Sequence, residues 1–293
     1  MEITSDLDRL FAEAVHAIDH GELPALRRLL NDHPELVSHR LESPGAWLRQ
    51  SVGDALNGFF ANPHLLWFVA EDPVRTGRLP SNIADVTRVI IDAARRHAPE
   101  SLQSQLDHTL QLVSWSGVAA ASGVQLPLID ILVEAGATPG GNADSALVNR
   151  HVAAAERLIQ LGGSLSLGAA LCLDRGDHIP RLFAEATADE RQFSLVLAAL
   201  NGKSEGVRWM LEAGVPPNQP SADLYPHGMP LHHAVCSGSL STVKALVEAG
   251  ADVGIADTAW DASPLAWAEH YVSESAGDRR ARYEAIVEYL RRV

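Results

Sequence analysis

Thirteen histidines, six tryptophans and a carboxylate-rich composition supply the chemistry this 293-residue chain could offer. Imidazole titrates near neutrality, so a histidine beside a carboxylate can act as a general acid or base. The set that could work together is His233, His270 and Asp261, with Trp260 and Trp267 close by in the sequence. The spacings that organise familiar chemistries are missing: there is no HExxH, CxxC or GxSxG. Gly202-Lys203-Ser204 has the tail of a phosphate-binding loop, but Leu197 stands where its first glycine belongs. Cys172 and Cys236 have neither a disulfide framework nor metal-ligand spacing. No residue is therefore assigned as catalytic, and no metal or cofactor is expected.

The balance of charge narrows the partners. At a net charge of −14 the chain is a poor match for a phosphate backbone, because affinity for nucleic acid comes from Lys and Arg. An acidic surface suits solubility or a basic protein partner. The start, MEITSDLDRL, lacks a basic-then-apolar leader, and no apolar run approaches the length of a membrane span. The expectation is a reduced, cytoplasmic protein that binds neither nucleic acid nor membrane.

The elements that must position these side chains are clearest in Pro230 to Asp252. Pro230 can open a helix, where its missing N–H has no partner to lose. Leu231, Ala234 and Val235 give one apolar edge, and Gly238 turns the chain. Val243, Leu246 and Val247 mark a second, antiparallel helix, which Gly250 closes in a left-handed conformation. Closing glycines recur at Gly136, Gly162, Gly214 and Gly250, at intervals of 26, 52 and 36 residues. The double interval predicts a further turn near Ala188. Mid-unit turns twelve residues before each close fall at Gly238, Gly202 and Gly176, with Arg150 in place of glycine at the fourth. Two landmarks in one phase predict an array.

The phrase Pro230-Leu231-His232 with Ala234 resembles the signature of an ankyrin repeat. GELPALRRLLNDHPELV, SGVQLPLIDILVEAGA and DTAWDASPLAWA extend the likeness to a bacterial ankyrin-repeat group with degenerate central repeats. The resemblance implies an all-α, ankyrin-type α-solenoid of about seven to eight stacked helix-turn-helix repeats with short fingers. It would be one array over residues 1–293, beginning with a capping repeat at 1–37, in which Ala17 and Gly21 match Ala234 and Gly238. An irregular repeat with insertions follows at 38–104, where HLLWFVA (64–70) reads as a buried inner helix and 71–82 as a surface loop, with Ser81 or Asn82 capping the next helix. Degenerate short repeats fill 105–214, with Pro180 forcing one helix to kink or start late. Regular repeats and a C-terminal cap occupy 215–293, with an extended finger at 215–229 and an insertion at 272–282. The phrase is absent from 38–70 and from SLGAALCLDRG. The resemblance implies binding of other macromolecules and names none.

In such units, first-helix residues pointing away from the second helix face a concave groove. Those are Leu197, Leu200 and Asn201, then His233, Cys236 and Ser237, then Trp267, His270 and Tyr271, with Trp260 and Asp261 on the finger between the last two units. His232 falls at a position that hydrogen-bonds the neighbouring turn. Adjacent Trp, Tyr and His make a patch of the kind enriched at interaction hot spots. The first reading is a scaffold or adaptor binding a protein or peptide there. The alternatives are an enzyme or small-molecule binder using the same His, Asp and Trp residues, and a toxin-neutralising or effector-type interaction protein.

Overall fold

The computed structural model describes residues 6–293; residues 1–5, the start of the expected capping repeat, lie outside them. Every regular element among the described residues is helical. The chain divides into two compact units, one closing at Ser164 and the other running Leu165–Val293.

In the first unit, α1 (Asp6–His20) packs on α2 (Leu23–Asp32). The short α3 (Ala46–Val52) and three 3-10 turns interrupt the rhythm before α4 (Ile83–His97). Then come α5 (Pro99–Trp115), the one-turn α6 (Gly117–Ala121), α7 (Gln125–Ala135), α8 (Asn142–Val148) and α9 (Val152–Gln160). One layer is α1, the 3-10 segment Leu65–Ala70, α5 and α8; the other is α2, α4, α7 and α9. The second unit repeats the plan. Its first-layer helices are α10 (Leu167–Cys172), α12 (Ala188–Leu200), α14 (Pro230–Ser237) and α16 (Pro264–Ser273). Each is followed by its outer partner: α11 (Ile179–Glu185), α13 (Ser204–Glu212), α15 (Leu240–Glu248) and α17 (Gly277–Leu290).

Two recurring turns build these pairs. Gly136, Gly162, Gly214 and Gly250 all take positive φ, and the next residue donates back to a carbonyl five residues earlier: Ala137 to Leu132, Gly163 to Leu158, Val215 to Met210, Ala251 to Leu246. That bond satisfies an orphan carbonyl at the helix end. The mid-unit turn does the same from a left-handed residue at Gly21, Gly123, Arg150, Asp174 and Gly202, always back to an alanine: Ala17, Ala119, Ala146, Ala170 and Ala198. All five alanines are buried, because a larger side chain would hold neighbouring first-layer helices apart. Arg150 keeps the conformation without being glycine, at φ 60°. Gly176 does not turn the chain: Asp174, four residues after Ala170, takes that role at φ 56°, and Gly176 instead opens a 3-10 turn. Near Ala188 the turn exists without a glycine, with Thr187 and Glu190 forming a capping box at the start of α12. Pro180 sits in the first turn of a late-starting α11, where its missing N–H costs nothing.

Other expectations are corrected. Residues 65–70 are fully buried but wound as a tighter 3-10 segment. The stretch 71–82 is not simply a surface loop, because it closes on Glu71, which is 1% exposed. The Glu71 carboxylate accepts the backbone N–H groups of Arg75, Thr76 and Gly77, and pairs with the Arg75 guanidinium at 2.8 Å. Arg75 also forks onto Asp19 of α1 at 2.8 and 2.9 Å, tying the loop to the first helix. Asn82 occupies the N-cap position of α4, but without a side-chain cap hydrogen bond; its amide donates instead to the Gly21 carbonyl at 2.9 Å. The supposed insertion at 272–282 is mostly helix, with only 274–276 outside α16 and α17.

Candidate interaction site

The second unit carries a polar and aromatic construction on its two last fingers. The finger after α15 turns at Asp257, which is 3% exposed. One carboxylate oxygen of Asp257 accepts the backbone N–H of Ala259 (2.8 Å) and of Trp260 (2.7 Å); the other accepts that of Ala262 (3.3 Å) and the indole N–H of Trp267 (2.8 Å). Burial acts to raise the Asp257 pKa, but the four donors together outweigh it and hold the carboxyl below its usual range. The finger 215–229 leans on this one: Thr258 N–H donates to the His227 carbonyl at 2.9 Å. Gln192 of α12, 2% exposed, anchors the first finger by donating to the carbonyls of Pro216 and Gln219.

His232 locks the same corner. Its Nδ1 accepts the Met229 N–H at 3.2 Å and its Nε2–H donates to the Ala262 carbonyl at 3.0 Å, which fixes one neutral tautomer. Burial lowers its pKa. The expected bond from this position to the neighbouring turn is therefore present.

On this frame the aromatic rings converge. Trp260 meets Trp267 edge-on at 5.7 Å, and His227 meets Trp260 at 5.1 Å and stacks on Trp267 at 6.1 Å. Trp267 continues to Tyr271 at 6.5 Å, and Tyr271 stacks on Tyr283 at 4.9 Å while its hydroxyl donates to the Cys236 sulfur at 3.2 Å. Trp260, Ala262, Ala266, Trp267, His270 and Tyr271 line a cleft of about 380 Å3. Among the described residues Trp260 is the most open of the large apolar side chains, at 67% exposed.

The residues singled out from the sequence divide into three groups. Trp260, Trp267, His270 and Tyr271 come together in the cleft. Asn201, Cys236 and Ser237 are half-buried, and Asp261, exposed and at φ 53°, follows Trp260 without lining the cleft. Leu197, Leu200 and His233 are interior. Leu197 is fully buried and offers a partner no surface, while its carbonyl accepts the Asn201 amide. His233, 2% exposed, lies under the 215–229 finger against Tyr225 and His227, and burial followed by the neighbouring His232 and His227 pushes its pKa down to about 4. Among the described residues no hydrogen bond joins His233, His270 and Asp261 to one another, so these three do not form the acid–base set considered above. No group of three His, Cys, Asp or Glu among the described residues is placed to hold a metal, and no described helix is long and apolar enough to cross a membrane.

Asp257 and His227 escaped the sequence reading. The signal for Asp257 was present: an aspartate two and three residues before the amides it binds is an Asx turn. His227 sits in a proline-rich finger without period, so nothing local marked it.

A profile of ankyrin repeats in three copies matches residues 145–257. The crystal structure of the human ASB11 ankyrin repeat domain is similar over 75% of this chain and 96% of that one, at 15% identity and a TM-score of 0.33, too loose a superposition to argue from. No curated protein matches the chain. Residues 145–257 are therefore ankyrin repeats, and the same glycine and alanine turns recur on either side of them.

Proposed function

We propose that this protein is an interaction module that docks a protein or peptide partner in the cytoplasm, using the Trp260–Trp267–Tyr271 cleft as its anchor point. The observation that carries the proposal is Trp260. A tryptophan left 67% exposed on a finger pinned by four hydrogen bonds to Asp257 presents a large rigid apolar surface with little ordering left to lose on binding. Ankyrin repeats are generally protein-interaction modules, which fits this use. Asn201, Cys236, Ser237, His270 and Asp261 would supply the polar rim around the rings.

Trp267 and Tyr271 have structural jobs, so replacing them disturbs the fold as well as the surface. Trp260 is the cleaner probe. A photo-crosslinking phenylalanine analogue at position 260, expressed in cells of the source organism, should capture a discrete protein partner that the same group at exposed Glu205 of α13 does not. Equal capture from both positions, or none from 260, refutes the assignment.

A further inference from the structure

Between Arg208 and Arg279 the only lysine or arginine is Lys244. That cation-poor stretch contains both fingers, α14 and α16, and so all of the cleft, with Asp257, Asp261, Glu269 and Glu274 within or beside it in sequence. Three rings elsewhere in this unit are covered by a cation. Arg191 lies 4.1 Å over Phe183, Lys244 5.5 Å over Tyr289 and Arg279 5.9 Å over Tyr283. Among the described residues no guanidinium or ammonium covers Trp260 or Trp267, although tryptophan offers the strongest ring face for a cation. The Trp267 indole N–H points its positive edge inward onto Asp257, which leaves the electron-rich face of the ring for the cleft.

We infer that the cleft is a subsite for a cationic side chain, arginine or lysine, presented by a basic segment of the partner. This rests on the docking reading above and adds the chemistry of what enters. The cation would sit in the corner beside the edge-on Trp260–Trp267 contact, whose ring centroids are 5.7 Å apart and inclined at 66°, against the exposed face of Trp260. Exposed Asp261 beside Trp260 favours a cation there, and no lysine or arginine of the chain's own lines the cleft.

The test uses the full chain and four capped pentapeptides, Ala-Ala-Xaa-Ala-Ala, with arginine, lysine, citrulline or norleucine at the centre. Binding is read from the indole N–H resonances of Trp260 and Trp267 during titration to millimolar peptide. The arginine and lysine peptides should bind at least about fivefold more tightly than the citrulline and norleucine peptides, the fold-change expected of one to two cation–π contacts at a partly exposed site. Trp260→Ala, at a position exposed enough to leave the fold intact, should abolish the difference. Equal binding of the norleucine or citrulline peptide overturns the cation subsite, while partner capture through position 260 would still stand. Absence of any saturable shift overturns it as well. Failure of the cross-linking alone instead removes the docking reading on which the subsite depends.

Discussion

Asp257 is the residue whose removal most directly tests how the cleft is held. In Asp257→Ala the backbone N–H groups of Ala259, Trp260 and Ala262 and the Trp267 indole lose their shared acceptor together. A hydrogen bond to a charged group contributes about 1.5–3 kcal/mol, and orphaned donors add a desolvation cost, but the four are coupled and the finger can partly resolvate. A net loss of about 3 kcal/mol in the local opening free energy is the reasonable expectation, or roughly a hundredfold faster exchange of the Ala259 and Trp260 amides. Asp257→Asn keeps one carbonyl oxygen and turns an NH2 group toward donors on the other side, so it should fall between the two. Hydrogen exchange resolved to residues 257–263, with the Trp267 indole signal as a second probe, reads both variants. In the parent protein the carboxyl is held below its ordinary pKa, so its contribution is present above about pH 4 and is lost only as pH falls through the lower folded value. If Asp257→Ala leaves the Ala259 and Trp260 amides protected and the Trp267 signal unmoved, the finger is held by something other than this carboxylate.

Two further outcomes follow from the turns and the buried imidazoles. Gly214→Ala and Gly21→Ala both force alanine into a left-handed conformation, costing about 1 kcal/mol. At Gly214 the added Cβ meets open space, whereas at Gly21 it would lie 2.2 Å from the Asn82 side-chain oxygen and displace the Asn82–Gly21 hydrogen bond, so Gly21→Ala should cost about twice as much in urea unfolding. Equal costs would refute the Asn82 strut. Acidification should weaken the second unit before the first. A histidine with a lowered folded pKa contributes its full stability above the unfolded value near 6.5 and loses it as pH falls toward the folded value. For His233, pushed down to about 4, that loss amounts to about 3 kcal/mol. In the first unit His64, also near 4, is opposed by Asp72, which burial and then Glu71 raise to about 6, so that its protonation favours the folded form as pH drops. Hydrogen exchange at pH 7 and pH 5 should show protection falling more steeply in residues 165–293 than in 6–164, and a reversed order would contradict this assignment.

What the sequence determined here is whatever repeats. Glycines at Gly136, Gly162, Gly214 and Gly250, and buried alanines four residues before each mid-unit turn, are local requirements of backbone geometry and close helix approach, so their spacing is visible in a string of letters. Even the exceptions obey the rule: Arg150 and Asp174 turn left-handed because the alanine phase, and not the glycine, sets the position. The aromatic residues of the cleft were also legible, since first-helix periodicity aims Trp267, His270 and Tyr271 one way. Only the tertiary structure decided which of them a partner could reach. Leu197 and His233 share that periodicity, yet Leu197 lies in the core and the 215–229 finger covers His233. Fingers have no period, and bonds such as Asp257 to Trp267 or Arg75 to Asp19, 56 residues apart, join segments whose nearness exists only after the layers have packed.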